Sequence, residues 1–439
     1  MNRTKMPRRL AAVLAAAFMF GCVAAPAATA ADPVEIVYAT FLASNNHTDP
    51  RAVAQTQMIA TFEKEHPDIR IRVEIDSNQQ ATLRALRSGA DTPDVFRVNN
   101  FNAPQMVATG NVLPLDDLIR RDKVDMKDYL LPIDKMQING KFYGMQQDFR
   151  IPILMYRKSL LKKAGVTPPR TWAEVCTVGG KLTALGGNVV GYAVPLGTGD
   201  SLGGAQALGE FMLSSMTTED TGKYFAADDK TLAVSHGTLV KALQTIKDLY
   251  GKCKATPKIS VQFGYNEVQD GLRAGSIAMA TFGVYRFRAT QQGGAGSDLG
   301  WAPPPAYKPD GKQAVYGYTV AINAKTRHKE AAWDFTKFIG SPEAQSIALR
   351  GGEVVARASV YKDPKNQAYL DTADGKRQLA WGKLIEQRGQ FLTYSVDLTG
   401  FYRALADATQ RMVLMGESAD KAASQIESEY NTALARDTR

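Results

Sequence analysis

A chain of 439 residues is more than one compact core accommodates, so two lobes are the expectation. Hydrophobic residues at 44% and charged residues at 22% exclude an intrinsically disordered chain. The formal charge of +9 is mild, and no Lys/Arg run interleaved with aromatics points to nucleic acid.

Residues 1–30 read as a secretory leader. Arg3, Lys5, Arg8 and Arg9 make a basic start, Leu10 to Phe20 an apolar stretch, and Ala28-Thr29-Ala30 a cleavage site before Ala31. Met19-Phe20-Gly21-Cys22 is a poorer, alternative lipoprotein box that would anchor the chain through Cys22. No later stretch approaches the ~20 apolar residues of a membrane span, so the expected mature chain is soluble and periplasmic. Removing the leader leaves Cys176 and Cys253, an even pair that is either a disulfide or two buried thiols.

Val34 to Thr40 is nearly continuously apolar, as a strand covered on both faces is. A helix follows, with Ala54, Met58, Ile59 and Phe62 on one face and His66-Pro67 as its stop. Ile69 to Ile75 alternates as a half-wet strand does. Next come a short helix ending at Gly89, a strand at Asp94 to Val98, and a helix from Asn102 with Pro104 in its first turn. This alternation predicts an α/β layer with a mainly parallel sheet.

The rhythm repeats further on. Ile151 to Tyr156 reads as a strand and Leu160 to Ala164 as a helix, and Thr171 with Glu174 has capping-box spacing for the next helix. Val189 to Pro195 and Gly317 to Ile322 read as strands, and Lys329 to Ile339 as an amphipathic helix. Ser341-Pro342 starts another helix, and Thr399 to Ala435 is helical with a break near Gly416. The Pro- and Gly-rich stretch from Ala302 to Gly311 reads as a linker.

Four blocks carry a resemblance. They are Asp91-Thr92-Pro93-Asp94-Val95 with Val112 to Leu118; Asn139 to Gly144 leading to Leu154 to Lys158 and Pro168 to Glu174; Gly275 to Met279 running into Phe282-Gly283-Val284; and Tyr318 to Ile322 leading to Ala331 to Phe335 and Ser341 to Gln345. In their order and spacing the chain resembles family 1 extracellular solute-binding proteins, the maltose-binding-protein-like group. It departs from the pattern at Gln146, where a proline is usual, and at Arg157, where an asparagine is.

The resemblance implies two hinge-linked α/β lobes, each a mainly parallel sheet flanked by helices, with a solute trapped between them for an ABC permease. Lobe one would be residues 31–147 and 317–350, and lobe two residues 148–316 and 351–439. It further implies a monomer that binds a carbohydrate, has no cofactor and is not an enzyme. A non-sugar solute, such as a polyamine or glycerophosphodiester, and a carbohydrate-active hydrolase are the alternatives.

Candidate ligand residues follow from loops at strand ends, where amides and rings suit hydroxyls and sugar faces. The first strand leads to Phe41, Ser44, Asn45 and Asn46, which could equally be a helix-entry turn. Asn99, Asn100 and Phe101 follow the Asp94 strand. The resemblance directs Asp148, Arg150, Tyr285, Arg286, Tyr316, Gly317 and Tyr318 toward the cleft, and places a stacking aromatic at Tyr402. Arg150, Arg286 and Arg350 would suit an acidic saccharide through their planar forks, unless they pair with Asp148, Glu353 or other local carboxylates.

Gly199-Asp200-Ser201-Leu202-Gly203 matches a nucleophile elbow, but none of the four histidines stands where such an enzyme needs its base. A Gly-rich cleft loop offering Asp200 and Ser201 as hydrogen-bond partners is the preferred reading. Trp172 and Trp333 are expected in the cores. No metal-ligand spacing is present.

Overall fold

The computed structural model describes residues 32–197, 213–217, 220–225, 231–391 and 398–437. The leader and the Gly199–Gly203 motif, Asp200 included, lie outside them. The first lobe is built on a five-stranded sheet of β1 (Val34–Thr40), β2 (Ile69–Ile75), β3 (Val95–Asn99), β4 (Met145–Gln146) and β9 (Tyr318–Ile322), in the order β2-β1-β3-β9-β4. β1 runs parallel to both β2 and β3, while β9 is antiparallel to β3 and β4. Period-two alternation sends Ile36, Tyr38, Val95, Val320 and Ile322 to one core and Ala39, Phe96, Val98 and Ala321 to the other. Trp333, fully buried, closes the first of these cores and donates its indole N–H to Asp122 at 2.8 Å.

The second lobe holds β5 (Pro152–Arg157), β6 (Met279–Gly283) and β7 (Leu299–Ala302), with β5 central. Its pairings are antiparallel, which corrects the expectation of a mainly parallel sheet in each lobe. An apolar strand buried on both faces reads alike in either direction, so sequence does not reveal this. The Val189–Pro195 stretch makes only two parallel bridges to the β6 region, at Val190 and Ala193. Its intervening donors turn away: Gly191 N–H bonds Thr183 Oγ1 at 3.0 Å and Tyr192 N–H bonds the Ala255 carbonyl at 3.1 Å. A minor parallel pair, β8 (Gln313–Ala314) and β10 (Gly389–Gln390), completes the named strands.

Helix ends follow local chemistry. Asp49 caps the Pro50–Glu65 helix, Thr171 accepts from Glu174 N–H at 3.2 Å to start Trp172–Thr183, and Ser341 caps Pro342–Arg350. Gly89 ends Gln80–Ser88 in the left-handed conformation, φ 72°. The Ala302–Gly311 stretch is a loop within lobe two, tied to the Thr171 cap by the Trp172 and Ala306 amides. It does not join the lobes.

Three other segments do. Residues 147–151 lead from β4 to β5, residues 315–317 from β8 to β9, and residues 351–357 leave the Pro342–Arg350 helix. Arg150 exchanges both backbone bonds with Tyr316, at 2.6 and 3.1 Å, and Phe149 N–H bonds the Val354 carbonyl at 2.8 Å. The 147–150 strand of chain is thus gripped from both sides. Beyond it the two cores alternate: Val354 and Ala356 pack in a second-lobe core, Val355, Val360 and Leu370 in a first-lobe core, and the Ala373–Arg388 helix joins the second through Trp381, Leu384 and Ile385.

Cys176 and Cys253 form a disulfide with Cα atoms 5.0 Å apart, closing a separation of 77 residues inside lobe two. The adjoining Gly179 and Gly180 let the helix approach this region: a Cβ at Gly180 would sit 2.6 Å from the Cys253 carbonyl oxygen. The chain's end returns to the same lobe, where His236 bonds Glu427 at 2.9 Å and Asp420 at 3.2 Å on the Ala419–Asp437 helix.

Two outcomes are expected. The denatured, unreduced protein should contain no free thiol at 176 or 253, and Cys176→Ala should lower stability in denaturant by about 2–4 kcal/mol. Glu427 first, then Asp420, raises the His236 pKa above its ordinary 6.5. A raised folded-state pKa stabilises below pH 6.5 and loses that contribution as pH climbs through the raised value. Melting curves across that window should fall less steeply with pH in His236→Gln than in wild type.

Candidate functional site

Strand direction brings the site together. β1 delivers Phe41 from its carboxyl end, β3 delivers Asn99 to Phe101, and β6 delivers Tyr285 from the opposite lobe. In open α/β sheets this is where ligands lodge. Between these loops lies a group the sequence does not announce as a unit. Arg97 stands in the otherwise apolar β3, and its Nη2 donates to Asp148 Oδ2 at 2.6 Å and to Glu353 Oε1 at 3.2 Å. Arg150 faces the same two carboxylates at 3.4 and 3.5 Å. All four side chains are at most 7% exposed, and their charges cancel.

Aromatic rings enclose the arginines. Arg97 sits 4.7 Å from the Phe41 ring centroid and 4.5 Å from that of Tyr318, and Arg150 sits 4.6 Å from Tyr318 and 4.7 Å from Tyr285. Phe41 and Tyr318 also touch, with centroids 5.0 Å apart, so the three rings and two guanidiniums form a compact cluster from Phe41 in lobe one to Tyr285 in lobe two. Among the described residues Arg97 Nε and Nη1 and Arg150 Nε and Nη2 have no hydrogen-bond acceptor; Asp148 and Glu353 compensate the charge, and the ring faces add cation–π contacts. Burial raises the Asp148 pKa, with Glu353 adding to it against the pull of Arg150 and Arg97. Burial would also raise Glu353, but Arg150 and Arg97 outweigh it and its pKa falls.

Backbone and amides lock the cluster's neighbours. Tyr318 N–H donates to Asp148 Oδ1 at 3.0 Å. Gln146, where the sequence departs from its resemblance, makes a reciprocal amide pair with Asn100, both bonds 3.2 Å, and reaches the Asp148 carbonyl at 2.7 Å. Gly317 is required here because a Cβ would collide with the Asp148 carbonyl oxygen. Phe101 leans toward Tyr316, with centroids 6.1 Å apart, and touches the second-lobe core. Asn99 Oδ1 accepts from Phe101 N–H at 3.3 Å.

The other expected residues are placed less centrally. Ser44, Asn45 and Asn46 are exposed, and Asn46 Oδ1 accepts from Thr48 N–H, Thr48 Oγ1 and Asp49 N–H, which is the helix-entry turn. Arg286 Nη1 donates to Gln269 at 2.6 Å and Asn266 at 3.3 Å, and its guanidinium lies over Tyr265. Arg350 is exposed and bonds Asn366 at 2.9 Å. Tyr402 is buried against Tyr224 and Phe401 in the helical core rather than displayed. All three arginines expected to meet an acidic ligand thus hold protein partners. Sequence reasoning missed Arg97, although a charge inside Val95-Phe96-Arg97-Val98 was the available signal. Among the described residues no His, Cys, Asp and Glu cluster suits a metal ion, and no helix is long and apolar enough to cross a membrane.

Removing one member of such a group strands buried charge. Arg97→Met should lower unfolding free energy by about 3–5 kcal/mol, and adding Glu353→Gln should restore part of it. Denaturant titration of the two variants measures both.

Comparisons agree with this architecture. The family model described as bacterial extracellular solute-binding protein matches residues 45–346. The putative ABC transporter periplasmic-binding protein YcjN of Escherichia coli (strain K12) is 26% identical over 353 residues, covering 76% of this chain and 75% of that protein. The arabinooligosaccharide-binding protein of Bacillus subtilis (strain 168) is 25% identical over 307 residues, 65% of this chain and 66% of that one. The GacH receptor of Streptomyces glaucescens superposes with a TM-score of 0.74 at 21% identity, over 92% of this chain and 99% of that chain. A family match over more than half the length, on a two-lobed fold, leads to one conclusion: this chain belongs to the bacterial extracellular solute-binding proteins.

Proposed function

We propose that the chain captures a mono- or oligosaccharide between its lobes and delivers it to the membrane permease of an ABC importer. One observation carries the reading: the cluster of rings and guanidiniums of Phe41, Arg97, Tyr318, Arg150 and Tyr285 reaches from one lobe to the other at the strand ends. Rings beside fixed polar groups suit the apolar faces and hydroxyls of a sugar. The Bacillus subtilis relative is named for arabinooligosaccharide and the GacH receptor is solved with acarbose, which supports a carbohydrate for this chain too. Its place of work would be the periplasm, after removal of residues 1–30, with anchoring through Cys22 as the lesser alternative. It would act as a monomer, without cofactor and without catalysis. The crossing segments at 147–151, 315–317 and 351–357 would serve as the hinge.

Calorimetry of the mature chain against arabino- and malto-oligosaccharides should find one ligand per chain. The same ligand should reduce the radius of gyration in small-angle scattering, and chromatography should recover it intact. Shortened products would replace this reading with a hydrolase.

A further inference from the structure

Beside that cluster, and sharing Tyr285 with it, a cavity of about 270 Å³ lies between Arg51, Gly351 and Gly352 on the first-lobe side and Arg288, Gln378 and Trp381 on the second. Its charges do not balance. Arg51 is held by Asp49 through a bidentate contact of 3.1 and 2.7 Å, and Arg377 is paired with Asp374. Each pair is neutral. Arg288 lies 4.0 Å from Asp374 and feels Asp49 from further off, both carboxylates already held by other arginines, and it makes no hydrogen bond among the described residues. The neighbouring quartet cannot absorb its charge, since Arg97 and Arg150 already match Asp148 and Glu353.

Hydrogen-bonding capacity is lopsided in the same direction. Trp381, 4% exposed, has its indole N–H buried with no acceptor. Gln378 spends its Oε1 on the Tyr369 hydroxyl at 3.0 Å, and its Nε2 carries no hydrogen bond among the described residues. That Nε2 and Arg288 Nη1 would each lie 3.8 Å from a Cβ at Gly352, so the two donors converge where this crossing segment has no side chain. Both carboxylates that line the cavity are occupied by the flanking arginines. Surplus donors and a surplus positive charge in a small cavity call for a ligand group rich in acceptors and negatively charged.

We infer that this cavity receives an oxyanion group, carboxylate or phosphate, borne by the captured solute, with Arg288 as its principal charge partner and Trp381 and Gln378 as donors. This rests on the capture reading above and narrows the solute to an acidic saccharide or a sugar phosphate. It moves charge recognition from Arg150, Arg286 and Arg350 to Arg288. Because Arg51 and Gly352 border the cavity from one lobe and Arg288 from the other, the anion would also draw the lobes together.

Calorimetry of the mature chain with glucose, glucuronate, glucose 6-phosphate and inorganic phosphate tests the assignment. At least one anionic sugar should bind tenfold or more tightly than glucose. Arg288→Gln should bring that affinity down to the level of glucose, and Arg288→Lys should recover part of it. Circular dichroism should show both variants folded, since Arg288 is partly exposed. Anionic sugars that bind no better than glucose, or that keep their advantage in Arg288→Gln, overturn the inference. Inorganic phosphate binding as tightly as the sugar phosphate overturns the assignment to a solute-borne group. Silence from all four probes, alongside oligosaccharide binding, removes the anion site and leaves sugar capture standing. Silence from the oligosaccharides as well removes both readings.

Discussion

Four charges buried where the lobes meet are the constraint on which this molecule depends. Two arginines and two carboxylates cannot be taken from water singly without a penalty of several kcal/mol each. They are tolerated because they come from different parts of the chain and cancel: Arg97 from β3, Asp148 and Arg150 from one crossing segment, Glu353 from another. The fold must therefore bring residues 97, 148, 150 and 353 together before any of them is stable. Gln146, Gly317 and the Tyr318 amide are arranged around that requirement. A neutral, ring-stacked charge group is also a surface that need not exchange partners if the lobes rotate about it, because cation–π contacts tolerate lateral displacement better than a directed hydrogen bond does.

Much of the scaffold was legible in the chain. Burial on both faces made β1 and β3 apolar, alternation made β2 recognisable, and caps such as Thr171 and Ser341 announced their helices. Direction and partnership were not legible. β5, β6 and β7 pair antiparallel, and the Val189–Pro195 stretch spends its donors on Thr183 and Ala255, choices that belong to tertiary packing. The Pro- and Gly-rich loop at 302–311 looked like a joint because composition reports turn chemistry, whereas the real crossings carry few such residues, Gly317, Gly351 and Gly352 among them.

The site divides along the same line. Strand-end loops pointed to Phe41 and Asn100, and the family resemblance to Tyr285 and Tyr318. The sequence offered Arg150 as a ligand partner or a salt-bridge partner, and the geometry gives it the second role. Arg97, Arg288 and Trp381 escaped notice because their significance lies in which charges surround them, and spatial neutrality has no linear signature. Tyr402 shows the converse: an aromatic at a suggestive position that packs into its own lobe.

The interleaving of the chain has a consequence for how it reaches this state. The second-lobe core draws on residues from Leu154 to Tyr430, and the first-lobe core from Ile36 to Leu370. Neither can close on a nascent chain until residues far downstream have emerged, so contacts of long sequence separation must form before burial rewards them. Synthesis thus leaves the chain open and unfolded for nearly its whole length, and the Ala419–Asp437 helix is the last piece that lets the second lobe condense.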